Sequence, residues 1–163
     1  MKTNNKTILV TASGKRLGKH IAIDLINKGW KVAIHYNKSK ILAEDTADYL
    51  FKIGGNVSTH QADLTCNSDV EKLVNEIEAQ DSKWVGLINN AGYFNYDDGN
   101  SFKVEELYRH MSVNFIAPTL LTKALAKYTM KKTKKESSSK GFVINILDAK
   151  IFGLNPDYYT YTS

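Results

Sequence analysis

The 163-residue sequence predicts an α/β fold, a doubly wound parallel sheet, and three observations carry the prediction. Short apolar runs alternate with longer stretches whose apolar residues recur at helical spacing, the pattern of strands linked by crossover helices. The first two helical stretches stop at glycine, which ends a helix without strain. The first apolar run, Ile8 to Val10, leads through a turn of small and basic residues, Thr11 to Gly18, straight into a helix.

That junction is suited to an anion. The first helical turn leaves backbone N–H groups unpaired and carries the positive end of the helix dipole. Gly14 and Gly18 are expected to leave the space through which a phosphate reaches the backbone.

The remaining elements follow in order. Leu17, Ile21, Ala22, Leu25 and Ile26 form a helical stripe ending at Gly29, and Lys31 to Tyr36 reads as the second strand. Its apolar content suits a parallel strand covered on both faces, although the alternation is too short to say which side chain faces which way. Ile41 to Ile53 is a second amphipathic helix closed by Gly54-Gly55, and Asn56 to Gln61 a third strand. Asn67 with Asp69, ahead of Val70, Leu73, Val74 and Ile77, reads as a capped helix. Trp84 to Asn89 is the fourth strand, Val104 to Met111 and Pro118 to Met130 are helical, and Gly141 to Leu147 is the fifth strand.

Composition narrows the function. With 42% hydrophobic residues, the chain has enough for the core of one domain spanning residues 1–163. The formal charge of +5 comes largely from Lys131, Lys132, Lys134, Lys135 and Lys140 around Ser137 to Ser139. Such a run without interleaved aromatics reads as a solvated loop, so no nucleic-acid partner is expected. Cys66 is the only cysteine, which excludes an intrachain disulfide. The amino-terminal apolar run is too short for a signal sequence or membrane span, so a soluble cytoplasmic protein is expected.

Chemistry concentrates after the second strand. In a dinucleotide fold this strand end faces the adenosine ribose, and an acid there would select the free 2′-hydroxyl. The sequence instead has Asn37, Lys38 and Ser39, with no acid before Glu44. Lys38 and Ser39, with Arg16 from the turn, offer charge and a hydroxyl to a 2′-phosphate, which favours NADPH over NADH.

Thr11 to Gly18, Asn89-Asn90-Ala91-Gly92, Asn114 and the thirteen-residue separation of Asp148 from Tyr161 together resemble the short-chain dehydrogenase/reductase family, whose turn reads Thr-Gly-x-x-x-Gly-x-Gly. Ala12 stands at its first glycine and Arg16 at its second, and a Cβ at Ala12 is expected to crowd the turn or a pyrophosphate. Lys15-Arg16-Leu17-Gly18, Lys38-Ser39, Phe94 and Asp148-Ala149 are similar to the pteridine reductase branch. The resemblance implies a Rossmann-like sheet of order 3-2-1-4-5. It implies NADPH held by Thr11, Ser13, Gly14, Lys15, Arg16, Leu17, Gly18, Asn37, Lys38, Ser39, Asp63, Leu64, Asn90, Ala91 and Gly92. Phe94 and Arg16 then face a small-molecule substrate, a pterin or a carbonyl compound.

The same resemblance implies proton handling by Tyr161 and Asp148, and a relay water held by Asn114. Among Met111, Val113, Phe115 and Ile116, Asn114 also fits a satisfied core amide. Hydride delivery to a C=N or C=O bond needs a proton on the other atom, and a phenol with a pKa of about 10 supplies one poorly near neutrality unless positive charge lies nearby. The family's lysine for that task would fall two positions past Ser163, and the chain matches only the first two thirds of the family's length. An incomplete fold and an inactive or impaired enzyme are expected, with the fifth strand an uncovered edge open to self-association or to a complementing chain. The alternative is a noncatalytic cofactor-binding or interaction module, or one half of a split enzyme.

Overall fold

The computed structural model describes residues 5–80, 83–133, 140–153 and 156–162. Lys134, Lys135 and Ser137 to Ser139 of the lysine-rich segment, and Ser163, lie outside the described residues. The elements run β1 (Lys6–Val10), α1 (Arg16–Asn27), β2 (Lys31–Tyr36), α2 (Lys40–Lys52), β3 (Val57–Gln61), α3 (Asn67–Glu78), β4 (Lys83–Asn89), α4 (Val104–Met111), a π-helical turn (Ser112–Ile116), α5 (Ala117–Thr133), β5 (Phe142–Asn145), a short 3-10 turn (Ala149–Phe152) and α6 (Tyr159–Thr162).

Five strands form one sheet in the order β3-β2-β1-β4-β5, and every neighbouring pair is parallel. This is the predicted doubly wound topology. Successive side chains of a strand point to opposite faces, and both faces are covered. Ile8, Val10, Val32, Ile34 and Ile88 pack with Ala22 and Ile26 of α1 and Leu50 of α2. Leu9, Ala33 and Leu87 pack with Leu73 of α3 and with Leu121 and Leu125 of α5. That settles the facing of β2, and each such aliphatic side chain contributes about 2 kcal/mol of burial.

Glycine ends the first two helices. Gly29 and Gly54 take φ of 84° and 85°, and the N–H groups of Trp30 and Gly55 return to the carbonyls of Leu25 and Leu50 at 3.1 and 2.9 Å.

Two expectations are corrected. Cys66, not Asn67, occupies the cap position of α3, and Asp69 does not cap it. Its carboxylate accepts the Asp63 N–H at 2.9 Å, which draws it back to the exit of β3. The fifth strand stops at Asn145 because β4 ends at Asn89 and leaves no parallel partner further on. As an edge strand, β5 keeps Phe142, Val143 and Ile144 exposed.

The carboxyl ends of all five strands lie along one edge. Strand order reverses between β1 and β4, and there the exits of the two strands open a crevice, the usual ligand position of such sheets.

Candidate active site

The turn after β1 is closed by contacts distant in sequence. Thr11 is buried, and its Oγ1 accepts the N–H groups of Asn90 and Ala91, both at 2.9 Å. Asn90 answers with its side-chain amide, donating to the carbonyls of Thr11 at 2.9 Å and Ala12 at 3.3 Å. Ser13 is buried, and its hydroxyl donates to the Val10 carbonyl at 2.7 Å. The two exits are thus tied into one unit, and Asn90 and Ser13 build the turn.

Among the described residues, Ala12 and Arg16 are the non-glycine residues with left-handed backbone, at φ of 52° and 50°. These are the two, of the three glycine positions of the Thr-Gly-x-x-x-Gly-x-Gly pattern, at which this chain has another residue, and the left-handed backbone costs an L-residue about 1–2 kcal/mol at each. The spacing predicts open space at Gly14 and Gly18, and the structure fills it with protein. A Cβ at Gly14 would stand 3.0 Å from Ala43, and one at Gly18 would stand 2.5 Å from the Ala12 carbonyl and 2.7 Å from Asn90 Nδ2. Gly14 also gives its carbonyl to the Thr46 hydroxyl at 2.9 Å. Both glycines allow the turn to close upon its neighbours.

The outer rim is basic. Lys15, Arg16 and Leu17 are exposed at the mouth of α1, and Asn37 and Lys38 are exposed with Ser39 half-buried after β2. Asp63 Oδ1 accepts the N–H and hydroxyl of Thr65 at 2.9 and 2.7 Å. Those two bonds, with smaller help from Asn37 and Lys38, hold its carboxyl below the usual carboxylate range. Leu64 is buried in the core.

Beside this rim lies a cleft of about 780 Å³ whose lining includes Ala91, Gly92, Asn114, Asp148 and Tyr161. The Tyr161 hydroxyl donates to Asp148 Oδ2 at 3.1 Å. Burial, then the hydrogen bond to Asp148 and its charge, push the phenol's pKa up. Phe94 stacks on Tyr158 with centroids 4.1 Å apart and meets Tyr161 edge-on at 4.8 Å. Asn114 sits in the π-helical turn, a feature frequent at functional sites. Its Oδ1 accepts the Tyr93 N–H at 2.8 Å and its Nδ2 donates to the Tyr93 carbonyl at 2.9 Å. Five of the candidate residues, Ala91, Gly92, Asn114, Asp148 and Tyr161, therefore share one cleft, and Asn90 ties the α1 turn to the neighbouring β4 exit.

Sequence reasoning missed two supports. Asp97 is buried and accepts the Thr160 N–H at 3.1 Å and the Thr160 hydroxyl. It also exchanges backbone bonds with the tyrosine segment through Asp157 and Tyr159. Buried His110 receives the Asn95 N–H on Nε2 at 3.3 Å, so Nδ1 carries the proton and donates to Thr160 Oγ1 at 2.8 Å. This pair fixes the residue immediately before Tyr161. The second support is His35, buried at the end of β2 between the Ala12 N–H and the Ala62 carbonyl. A histidine inside an otherwise apolar, doubly covered strand is the one signal that could have found it.

These features define a doubly wound α/β protein with a crevice at the strand exits and a tyrosine–aspartate cleft beside it. The profile of the short chain dehydrogenase family matches residues 6–162, and the chain belongs to that family. It is 36% identical over 91 residues to the short-chain dehydrogenase/reductase homolog YusS of Bacillus subtilis, covering 56% of this chain and 84% of that one. Among solved structures it is similar to FolM Alternative dihydrofolate reductase 1 from Brucella canis, complexed with NADP, at TM-score 0.87 and 32% identity over 99% of this chain. The Brucella suis protein of the same name, also with NADP, matches at TM-score 0.86 and 33% identity over 97%. The chain spans 63% of the length of each of these two.

Proposed function

We propose that this chain is the dinucleotide-binding part of an NADPH-dependent reductase similar to pteridine reductases, acting on a pterin or another C=N or C=O compound. The observation that carries the reading is the Tyr161–Asp148 hydrogen bond at 3.1 Å with the Phe94 ring edge-on to Tyr161. Similarity to NADP-complexed FolM structures supports it.

The residues present fit the cofactor. Lys15, Arg16 and Lys38 are exposed cations, the first amides of α1 have no helical partner, and no acid precedes Glu44 after β2. Asn89 Oδ1, in the cleft lining, is a buried acceptor without a donor among the described residues. NADPH supplies hydride when bound. Arg16, Lys38 and Ser39 would hold the 2′-phosphate, the amides that open α1 would face the pyrophosphate, since those of Thr11, Ala12 and Ser13 are bonded within the protein, and Asn90, Ala91 and Gly92 would wall the ribose side. Phe94 stacks a flat substrate, Tyr161 donates the proton under the hold of Asp148, and Asn114 orients a relay water.

A second reading, a noncatalytic or impaired cofactor-binding module, draws on Tyr161. The described groups acting on its phenol all raise its pKa, the wrong direction for easy proton release. The exposed β5 edge supports self-association or pairing with a complementing chain. No helix among the described residues is long and apolar enough to cross a membrane; a cytoplasmic setting is part of the proposal.

The test is fluorescence titration of the purified chain with NADPH and NADH. Tighter NADPH binding, weakened by Lys38→Asp or Arg16→Ala, is expected. Equal affinity for the two dinucleotides would overturn the 2′-phosphate assignment.

A further inference from the structure

The left-handed Ala12 needs a cause, because a Cβ there opposes the conformation. Rotation about φ of Ala12 moves its two flanking peptides relative to each other, so both must be held. In the first peptide, the Thr11 carbonyl accepts from Asn90 Nδ2 at 2.9 Å and the Ala12 N–H donates to His35 Nδ1 at 3.1 Å. In the second, the Ala12 carbonyl accepts from Asn90 Nδ2 at 3.3 Å and the Ser13 N–H donates to the His35 carbonyl at 3.1 Å. His35 therefore grips both peptides, one by its ring and one by its backbone.

The ring's other nitrogen completes the strut. An amide N–H can only donate, so Nδ1 must be the bare acceptor, and Nε2–H then donates to the Ala62 carbonyl at 3.0 Å. A single neutral tautomer satisfies both contacts. It ties the phosphate turn after β1 to the loop after β3, where Asp63 follows.

We infer that His35 is a positioning residue for dinucleotide binding, acting as a fixed-tautomer strut that holds Ala12 left-handed and so aligns the α1 turn. The inference rests on the proposed cofactor reading. Glycine at position 12 would adopt this backbone freely, and here the imidazole does by hydrogen bonding what glycine does by lacking a side chain. Burial lowers the pKa of His35 to about 4, against the Ala62 hydrogen bond and Asp63, which raise it, while nearby His60 adds to the lowering. The acceptor nitrogen thus persists at neutral pH.

The experiment joins spectroscopy to a double-mutant cycle on the full chain. Ring-nitrogen NMR of His35 is expected to show a bare Nδ1 and a protonated Nε2 at pH 7.5; the opposite tautomer or a doubly protonated ring would overturn the strut. NADP+ affinity, read by calorimetry, is expected to fall roughly tenfold in His35→Leu, the worth of about one hydrogen bond. His35→Asn, which keeps an acceptor for the Ala12 N–H, is expected to recover part of the loss. In an Ala12→Gly background the same His35→Leu change is expected to cost less than about threefold, because glycine no longer needs holding. Equal losses in both backgrounds would mean that His35 is merely a core residue and would overturn the inference. Failure of the parent chain to bind NADP+ would defeat the proposed function and its ligand consequence here, while the ring-nitrogen spectrum would still judge the strut.

Discussion

Replacing Gly18 by Ala adds one methyl group at the tightest point of the turn. The new carbon would stand 2.5 Å from the Ala12 carbonyl oxygen, 2.7 Å from Asn90 Nδ2 and 2.7 Å from Ser13 Cα. Two of those atoms are backbone and the third is the amide that locks the turn, so no flexible side-chain end can yield. Overpacking costs about 1–3 kcal/mol. Displacing Asn90 also loses its bonds to the Thr11 and Ala12 carbonyls, at about 1 kcal/mol each. Alanine regains about 1 kcal/mol of helix propensity in α1, which leaves a net loss of roughly 2–4 kcal/mol by these same terms. Urea unfolding followed by tryptophan fluorescence measures it, and with a slope of about 2 kcal/mol/M the midpoint falls by about 1–2 M. Gly54→Ala is the control. Nothing lies within 4 Å of a Cβ there, but φ is 85°, so strain alone costs about 1 kcal/mol. If Gly18→Ala proves no worse than Gly54→Ala, the close packing of the turn is not what that glycine serves.

Three further outcomes are expected. His35, neutral in the folded chain with its pKa lowered to about 4 from 6.5, leaves the unfolded state binding more protons in that interval. Its stabilisation is complete above pH 6.5 and is lost as pH falls toward 4, by about 3 kcal/mol in all; urea midpoints against pH should slope in that window for the parent chain and less for His35→Asn. Asp148→Asn removes the anion that raises the Tyr161 phenol, and labelled-tyrosine NMR should show that resonance titrating at lower pH than in the parent. Asp97→Ala strands the buried N–H and hydroxyl of Thr160, which should cost about 2–3 kcal/mol in urea unfolding and return the Tyr161 titration toward its ordinary value as the Asp148 contact loosens.

The framework was legible because it is written locally. Apolar runs bounded β2 at Lys31 and Tyr36 and α4 at Val104 and Met111, and Gly29 and Gly54 marked the ends of α1 and α2 at positive φ. The pairing of Tyr161 with Asp148 came from a spacing learned from a family, and the two groups do meet. What could not be read is the use of polar side chains whose partners lie far along the chain. Asn90 reads as a site residue, but its amide closes a turn almost eighty residues earlier. Asp97 carries no local signal of its role, and it is buried because the tyrosine segment folds onto it. The left-handed Ala12 is invisible for the same reason, since its N–H is held by a histidine from the neighbouring strand. Asn67 and Asp69 failed differently: a plausible local cap lost to a backbone N–H presented by the β3 exit.

The charges along the strand exits impose a direction on the proposed ligand. At the β1 and β2 exits stand exposed Lys15, Arg16 and Lys38, and the positive end of the α1 dipole adds to them. Asp63 follows β3 and keeps its negative charge, which its hydrogen bonds from Thr65 stabilise, so a phosphate gains by staying on the side of Lys15, Arg16 and Lys38. At the β5 exit the charge reverses, because Asp148 stands exposed beside Tyr161. A phosphorylated dinucleotide laid along this edge gains by placing its phosphates over β1 and β2 and its nicotinamide toward β4 and β5, since the opposite orientation would set phosphate against Asp148. The same gradient disfavours an anionic substrate in the tyrosine cleft. Neutral, flat compounds suit the charge of the proposed substrate site, and Phe94, which packs on Tyr158 and meets Tyr161 edge-on, offers them an aromatic neighbour beside the cleft.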